Sequence, residues 1–303
     1  MNYPDYPFSS QFASIKGLRL HYLDEGPKSS SPLVMLHGNP SWSFYYRHLV
    51  SALREHHRCI VPDHIGMGLS DKPSNQDYDF GLDRRVDDLD ELLDQLDIKE
   101  NITLIVHDWG GMIGMSYATR YPNRIKRLVI LNTAAFHLPK TKRIPWQLQL
   151  SRIPFINALL NQGLNAFCRG AVKYCVTRRP MADNVASAYL SPYNSWKNRL
   201  AVRKFVEAIP LKPGDSGYDT LDKVDAGLHQ FSALPMLICW GLKDFVFDEN
   251  FLAEWQSRFP NAECHRFEDA GHYILEDAAE DLIPLIETFL LKDPSSTEAQ
   301  AIA

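Results

Sequence analysis

Asp108, Asp244 and His272 follow one another along the chain in the order nucleophile, acid, base. Asp108 lies in "TLIVHDWGGMIGMSYATRY" (103–121), where an apolar run meets a glycine pair and a helical pattern begins. Strand, sharp turn and helix with the reactive residue at the turn make a nucleophile elbow. Many hydrolytic enzymes put serine there; this chain puts a carboxylate, and Val106 stands where the serine motif has its first glycine. An aspartate could also stand at this point only to cap the next helix. The chemistry of a carboxylate differs from that of a hydroxyl. Attack on an ordinary ester carbonyl would make an anhydride, which is uphill. Attack on an sp3 carbon makes an ester, which persists until it is attacked in turn. Asp108 therefore suits displacement of a halide, an epoxide oxygen or a strained lactone oxygen from carbon. His272, in "EDAGHYILED" (268–277), is then the base that activates water against such an ester. Asp244, in "LKDFVFD" (242–248), is the acid that holds its tautomer. Asp248 and Asp269 are nearby carboxylates that could be confused with that acid. Asn132, after an earlier strand, occupies the other place an acid could come from, but it is an amide.

Donors for developing negative charge come from two places. "LHGNPSWS" (36–43) is the loop after an earlier strand, and such a loop lends one backbone N–H to an oxyanion hole. The residue after the nucleophile lends the other. These are Asn39 and Trp109, whose side chains add an amide and an indole N–H without charge. The glycines of "HIGMGLSDKP" (64–73) fail the G-x-G-x-x-G spacing, so that stretch reads as a structured loop without a cofactor. Neither a cofactor nor a metal site is expected.

The elements that must position these residues are legible as short apolar runs. "LVMLHG" (33–38), "RCIVPDH" (58–64), "ITLIVHD" (102–108), "RLVILNT" (127–133) and "PMLICWG" (235–241) read as buried parallel strands. Between and after them, "DRRVDDLDELLDQLDI" and "EDLIPLIETFLLKD" carry apolar residues at helical spacing. Alternating strands and helices predict an α/β fold with a mostly parallel, doubly wound sheet. From about 137 to 228 the rhythm breaks into helical, aromatic-containing segments without a strand. The division expected is a core of residues 1–136 and 229–303 with an inserted helical cap, 137–228, overhanging the carboxyl ends of the strands. The tail "SSTEAQAIA" is polar enough to fray.

Composition narrows the classes. The chain has 303 residues with a net charge of -5, which argues against a nucleic-acid partner. No stretch has the length and apolarity to span a bilayer, and the start lacks a secretory pattern. Five scattered cysteines without metal-ligand spacing fit free thiols in a cytoplasmic protein. Residues 137–228 hold 14 Lys and Arg against 6 Asp and Glu, whereas the rest holds 18 against 31. A basic segment including Lys173, Arg178 and Arg179 is either plain solvated surface or a face for an acidic partner or anionic surface.

"HGNP" together with "HDWGG" resembles the haloalkane dehalogenase family of α/β-hydrolases. The resemblance implies Asp108 as nucleophile, His272 as base, Asp244 as acid, and Asn39 with Trp109 as halide-stabilising donors. "HDWGG" also occurs in epoxide hydrolases, which need two cap tyrosines; Tyr174, Tyr189 and Tyr193 are available, with no pair marked. A closer resemblance is to the β-lactone decarboxylases of bacterial long-chain olefin biosynthesis. It rests on "MLHGNPSWS", "RCIVPDHIGMGLSDKP", "RVDDLD", "VHDWGGMIG", "NTAAF", "SPYNSWKNR" and "AGHYILED", spread over core and cap alike. It implies a small hydrophobic substrate, a cis-β-lactone with two alkyl chains, converted to a cis-alkene and carbon dioxide beside a β-lactone synthetase. The alternative is hydrolysis of alkyl halides through an alkyl–Asp108 ester. Epoxide hydrolysis and a non-catalytic, ligand-binding use of the fold are the weaker alternatives. Whether Asp108 would attack the lactone's alkyl carbon or its carbonyl stays open.

Overall fold

The computed structural model describes residues 3–142 and 153–292. The expected frayed tail and part of the expected cap, 143–152, lie outside the described residues. Eight strands form one sheet: β1 (Gln11–Ile15), β2 (Leu18–Glu25), β3 (Pro32–Leu36), β4 (Arg58–Pro62), β5 (Ile102–Asp108), β6 (Ile125–Thr133), β7 (Met236–Gly241) and β8 (Glu263–Phe267). Their order across the sheet is β1-β2-β4-β3-β5-β6-β7-β8. β1 pairs with β2 and β2 with β4 in antiparallel fashion; all other neighbours are parallel. The five apolar runs all form strands. β1, β2 and β8 were not legible as strands, because each mixes polar and apolar residues and is partly exposed. A strand buried on both faces must be apolar throughout; one nearer an edge need not be.

Three helices matter for the site's support. α1 (Arg47–Leu53) follows the 36–46 loop, α2 (Leu82–Gln95) precedes β5, and α3 (Trp109–Arg120) leaves the end of β5 directly. On α2 the expected stripe buries Val86, Leu89, Leu92 and Leu93, while Leu96 falls just past its end and is half-buried. Each fully buried leucine of that kind contributes about 1.5–3 kcal/mol.

Between β6 and β7 the described residues form helices and turns, with no strand among them. They are α4 (Pro154–Asn157), a π-helical turn (Ala158–Gly163), α5 (Ala166–Tyr174), α6 (Asp183–Leu190), α7 (Leu200–Glu207) and α8 (Tyr218–Gly227). The apolar run at 153–170 is broken in two, because Asn165 takes a left-handed conformation, φ 55°, ahead of α5. After β7 come α9 (Glu249–Arg258), α10 (Ile274–Asp277) and α11 (Ala279–Leu291), the last carrying the expected stripe through Leu282, Ile286, Phe289 and Leu290. No helix among the described residues is long and apolar enough to cross a membrane.

The 64–73 stretch is a structured loop. Asp63, buried ahead of it, accepts from the Ser43 and Leu69 N–H groups at 2.6 and 2.7 Å and pairs with His21 Nδ1 at 2.8 Å. Burial alone would raise that carboxyl, but the His21 charge and these donors hold it well below the usual range. Lys72 Nζ closes the loop by donating to the carbonyls of Met67, Gly68 and Ser70.

Candidate active site

β5 ends and α3 begins at Asp108, whose φ is 50° and ψ -126°. A non-glycine residue held there stores roughly 1–3 kcal/mol of strain, tolerated where the neighbours enforce it. Here they do. A Cβ on Gly110 would lie 1.9 Å from the Leu36 carbonyl oxygen, so only glycine lets α3 approach β3 this closely. Val106, in place of the motif's first glycine, is accommodated by Gly114 across from it, where a Cβ would meet Val106 Cγ1 at 2.8 Å. The bulk moved by one position is returned by another.

Asp108 Oδ2 accepts the Asn39 backbone N–H at 2.6 Å, and the Trp109 backbone N–H also bonds to the carboxylate. The two expected backbone donors therefore both reach the Asp108 carboxylate. Burial raises the Asp108 carboxyl, and the neighbouring His272 charge and these two N–H groups offset only part of that. The Asn39 amide donates to the Val202 carbonyl of α7 at 3.1 Å, leaving one further N–H on that nitrogen. The Trp109 indole packs against Phe205 of α7, ring centroids 5.1 Å apart, and no described residue accepts from its N–H.

The Asp244 and His272 side chains come together after β7 and after β8. His272 Nδ1 lies 2.8 Å from Asp244 Oδ2. An ionised carboxylate only accepts, so Nδ1 carries the proton and neutral His272 keeps Nε2 as its basic atom. Burial pulls the His272 imidazolium down, but the Asp244 charge and hydrogen bond, helped by Asp108, leave it raised above its ordinary value. Asp244 is itself fixed: Oδ1 accepts from the Val246 and Phe247 N–H groups at 2.7 and 3.1 Å, and Oδ2 from Asn132 Nδ2 at 3.0 Å. Asp108, Asp244, His272, Asn39 and Trp109 are all buried.

The competing carboxylates have other work. Asp248 caps α9 through the Asn250 N–H and pairs with Lys142 at 2.8 Å; Asp269 pairs with Arg178 at 2.9 Å. Asp244→Asn should therefore lower kcat/KM by several orders of magnitude, roughly 10^3- to 10^4-fold by analogy with other orienting acids. Asp248→Asn should stay within a few-fold of wild type. Steady-state rates for the two variants check this; a larger loss in Asp248→Asn would reassign the acid.

Sequence reasoning missed three supporting groups. Asn132 is a clamp, donating to the Gly241 carbonyl at 3.0 Å, accepting from the Gly241 N–H at 2.8 Å and holding Asp244. Its place at a strand end pointed to the right neighbourhood. His107 Nε2 bonds to the His272 carbonyl at 2.8 Å. Asp277 accepts from the Gly271, Thr177 and Arg178 N–H groups at 2.7, 3.0 and 3.1 Å. Arg178, one of the basic residues of the 137–228 segment, is tied to Asp269 and Asp281, because the 175–178 segment is seated against the histidine loop. Of the three tyrosines named above, Tyr174 is exposed, Tyr189 donates to Glu276 and Tyr193 to the Ser41 carbonyl. The two buried hydroxyls are therefore engaged and do not form a free pair for epoxide protonation.

The sequence model of the alpha/beta hydrolase fold matches residues 31–279. A cis-3-alkyl-4-alkyloxetan-2-one decarboxylase of Shewanella oneidensis is 54% identical over 98% of this chain and 91% of its own length. One of the same name from Xanthomonas campestris is 47% identical over 97% of this chain and all of its own length. A haloalkane dehalogenase of Mycolicibacterium paratuberculosis is 30% identical, covering 93% of this chain and 92% of its own. Among solved structures, the haloalkane dehalogenase DatA of Agrobacterium tumefaciens superposes with a TM-score of 0.82 at 24% identity, covering 93% of this chain and 96% of that one.

Proposed function

The chain belongs to the alpha/beta hydrolase fold family, and from that premise we propose that it decarboxylates cis-3-alkyl-4-alkyloxetan-2-ones, β-lactones with two alkyl chains, to cis-alkenes and carbon dioxide. The observation that carries the route is the placement of both backbone donors on the Asp108 carboxylate. Donors on the nucleophile favour a reaction in which Asp108 attacks carbon and later departs as a carboxylate. The two decarboxylase relatives, matched over nearly the whole chain, carry the choice of substrate.

In this reading Asp108 attacks the ring carbon bonded to the lactone oxygen. The C–O bond breaks with inversion, and its electron pair leaves a free carboxylate on the opened substrate. The Trp109 indole N–H and the remaining Asn39 amide N–H are the donors for that carboxylate. The bond from carbon to the carboxylate then breaks, its pair forms the C=C bond, and the Asp108–carbon bond breaks with its pair returning to Asp108. Anti elimination after inversion preserves the cis arrangement. His272, whose charged form Asp244 favours, stabilises Asp108 as it leaves, and no water enters the cycle. Residues 137–228 act as the cap over this site, a reading supported by α7, which reaches Asn39 through Val202 and Trp109 through Phe205. We place the enzyme in the cytoplasm, consistent with five free cysteines, and downstream of an enzyme that closes β-lactones.

The test is to offer the wild-type chain a cis-β-lactone and a primary alkyl halide and identify the products. Alkene and carbon dioxide from the lactone, with halide release slower by at least tenfold, is the expected result. Rapid halide release with no alkene would replace this reading with the dehalogenase one.

A further inference from the structure

Large apolar side chains facing water gather on one part of this protein. Of the ten that are exposed among the described residues, six lie between Ile153 and Trp196, and Phe155 is 79% exposed. Two of them meet at the π-helical turn: Leu159 and Trp196 both come within 3.8 Å of where a side chain on Gly163 would stand. Single exposed apolar residues are ordinary, but a group of them marks a contact surface. The same stretch, 153–199, contains six Lys and Arg and one acid, Asp183. Arg169 and Lys173 lie one turn apart on the exposed side of α5, and Lys197 is exposed beside Trp196. None of these three forms an ion pair with a described residue.

We propose that this face docks on the surface of an anionic phospholipid bilayer. Apolar tips that enter the acyl boundary, ringed by Lys and Arg that meet the headgroups, are the composition of an interfacial surface. Other occupants fit less well. The neighbouring 143–152 stretch carries Arg143 and Arg152 and no acid, so it matches the face in sign rather than complementing it. A second copy packed face to face would oppose like charges. A second copy packed head to tail would bring acidic surface, but among the described residues the exposed large apolar ones outside this stretch are only Phe12, Phe245, Val246 and Leu291. The inference rests on the proposed function only for its purpose: a lactone with two long alkyl chains and its alkene product both partition into a bilayer.

The full chain is sedimented at low and high salt with vesicles of phosphatidylcholine alone or mixed in equal parts with phosphatidylglycerol. Wild type should pellet with the mixed vesicles and lose binding with salt. Phe155→Ser/Leu159→Ser/Trp196→Ser and Arg169→Glu/Lys173→Glu/Lys197→Glu should each bind at least about tenfold more weakly, given the worth of each basic residue near an anionic surface. Both variants should keep wild-type circular dichroism and alkene formation from detergent-dispersed lactone. Wild type left in the supernatant, or variants that pellet like wild type, would overturn the proposal. So would a vesicle-free dimer abolished by the same substitutions, which would assign the face to a second copy. Vesicle binding without alkene formation would instead remove the functional reading and leave the docking intact.

Discussion

Asp108→Asn is expected to abolish alkene formation, by roughly 10^5-fold or more, as for other removed nucleophiles, and to leave the fold at least as stable as wild type. An amide fills nearly the same space and its oxygen still accepts the Asn39 and Trp109 N–H groups, but it is a very poor nucleophile. The stability expectation follows from the direction of the carboxyl's shift. Burial raises it above the ordinary value, so the folded state disfavours the ionised form. The stability that Asp108 contributes is present below its unfolded value and is lost as pH rises through its raised folded value. At neutral pH the buried charge is therefore a cost, and the amide removes it. Thermal melts should show Asp108→Asn at or above wild type near neutral pH, with the difference shrinking in acid. Activity within about tenfold of wild type, with intact mass excluding deamidation, would remove Asp108 from the reaction.

His272→Gln should have the second-largest effect, and its form depends on the substrate. In the elimination route the His272 charge helps Asp108 leave, so lactone turnover should slow at least as much as in Asp244→Asn, roughly 10^3- to 10^4-fold or more, without a trapped adduct. With an alkyl halide, the ester on Asp108 has no carboxylate to expel it and needs water activated by a base. The variant should then accumulate an alkylated protein, visible by intact mass and mapped to Asp108. A stable adduct from the lactone itself would show that the wild-type cycle hydrolyses an ester, and the decarboxylation route would fall.

The sheet's centre and the elbow were legible because burial on both faces leaves an unbroken apolar run, and because a sharp turn at close packing requires glycine. Asp108, Asp244 and His272 could be picked out by their order at strand ends and loops, and the structure brings the Asp244 and His272 side chains to 2.8 Å. Asn132 was legible only as a position, since its hydrogen bonds run to Gly241 and Asp244, more than 100 residues away. β8 was hidden by its edge location. The break at Asn165 was hidden because periodicity does not report a single left-handed residue. Arg178 read as surface charge because its partners, Asp269 and Asp281, are distant in sequence and invisible to a local count.

Asp277 holds Gly271, the residue before His272, with one carboxylate that also holds Thr177 and Arg178, and the Tyr273 N–H bonds to the Cys175 carbonyl at 2.8 Å. The inserted segment and the His272 loop therefore share a fastening. Wholesale exchange of the segment between relatives, the simplest way for such a scaffold to acquire a new substrate, cannot be a clean graft at its middle. A donor segment that lacks a 175–178 match would arrive with the histidine loop unmoored. Substrate range in this lineage should then change by substitutions on either side of that seam more readily than by recombination across it.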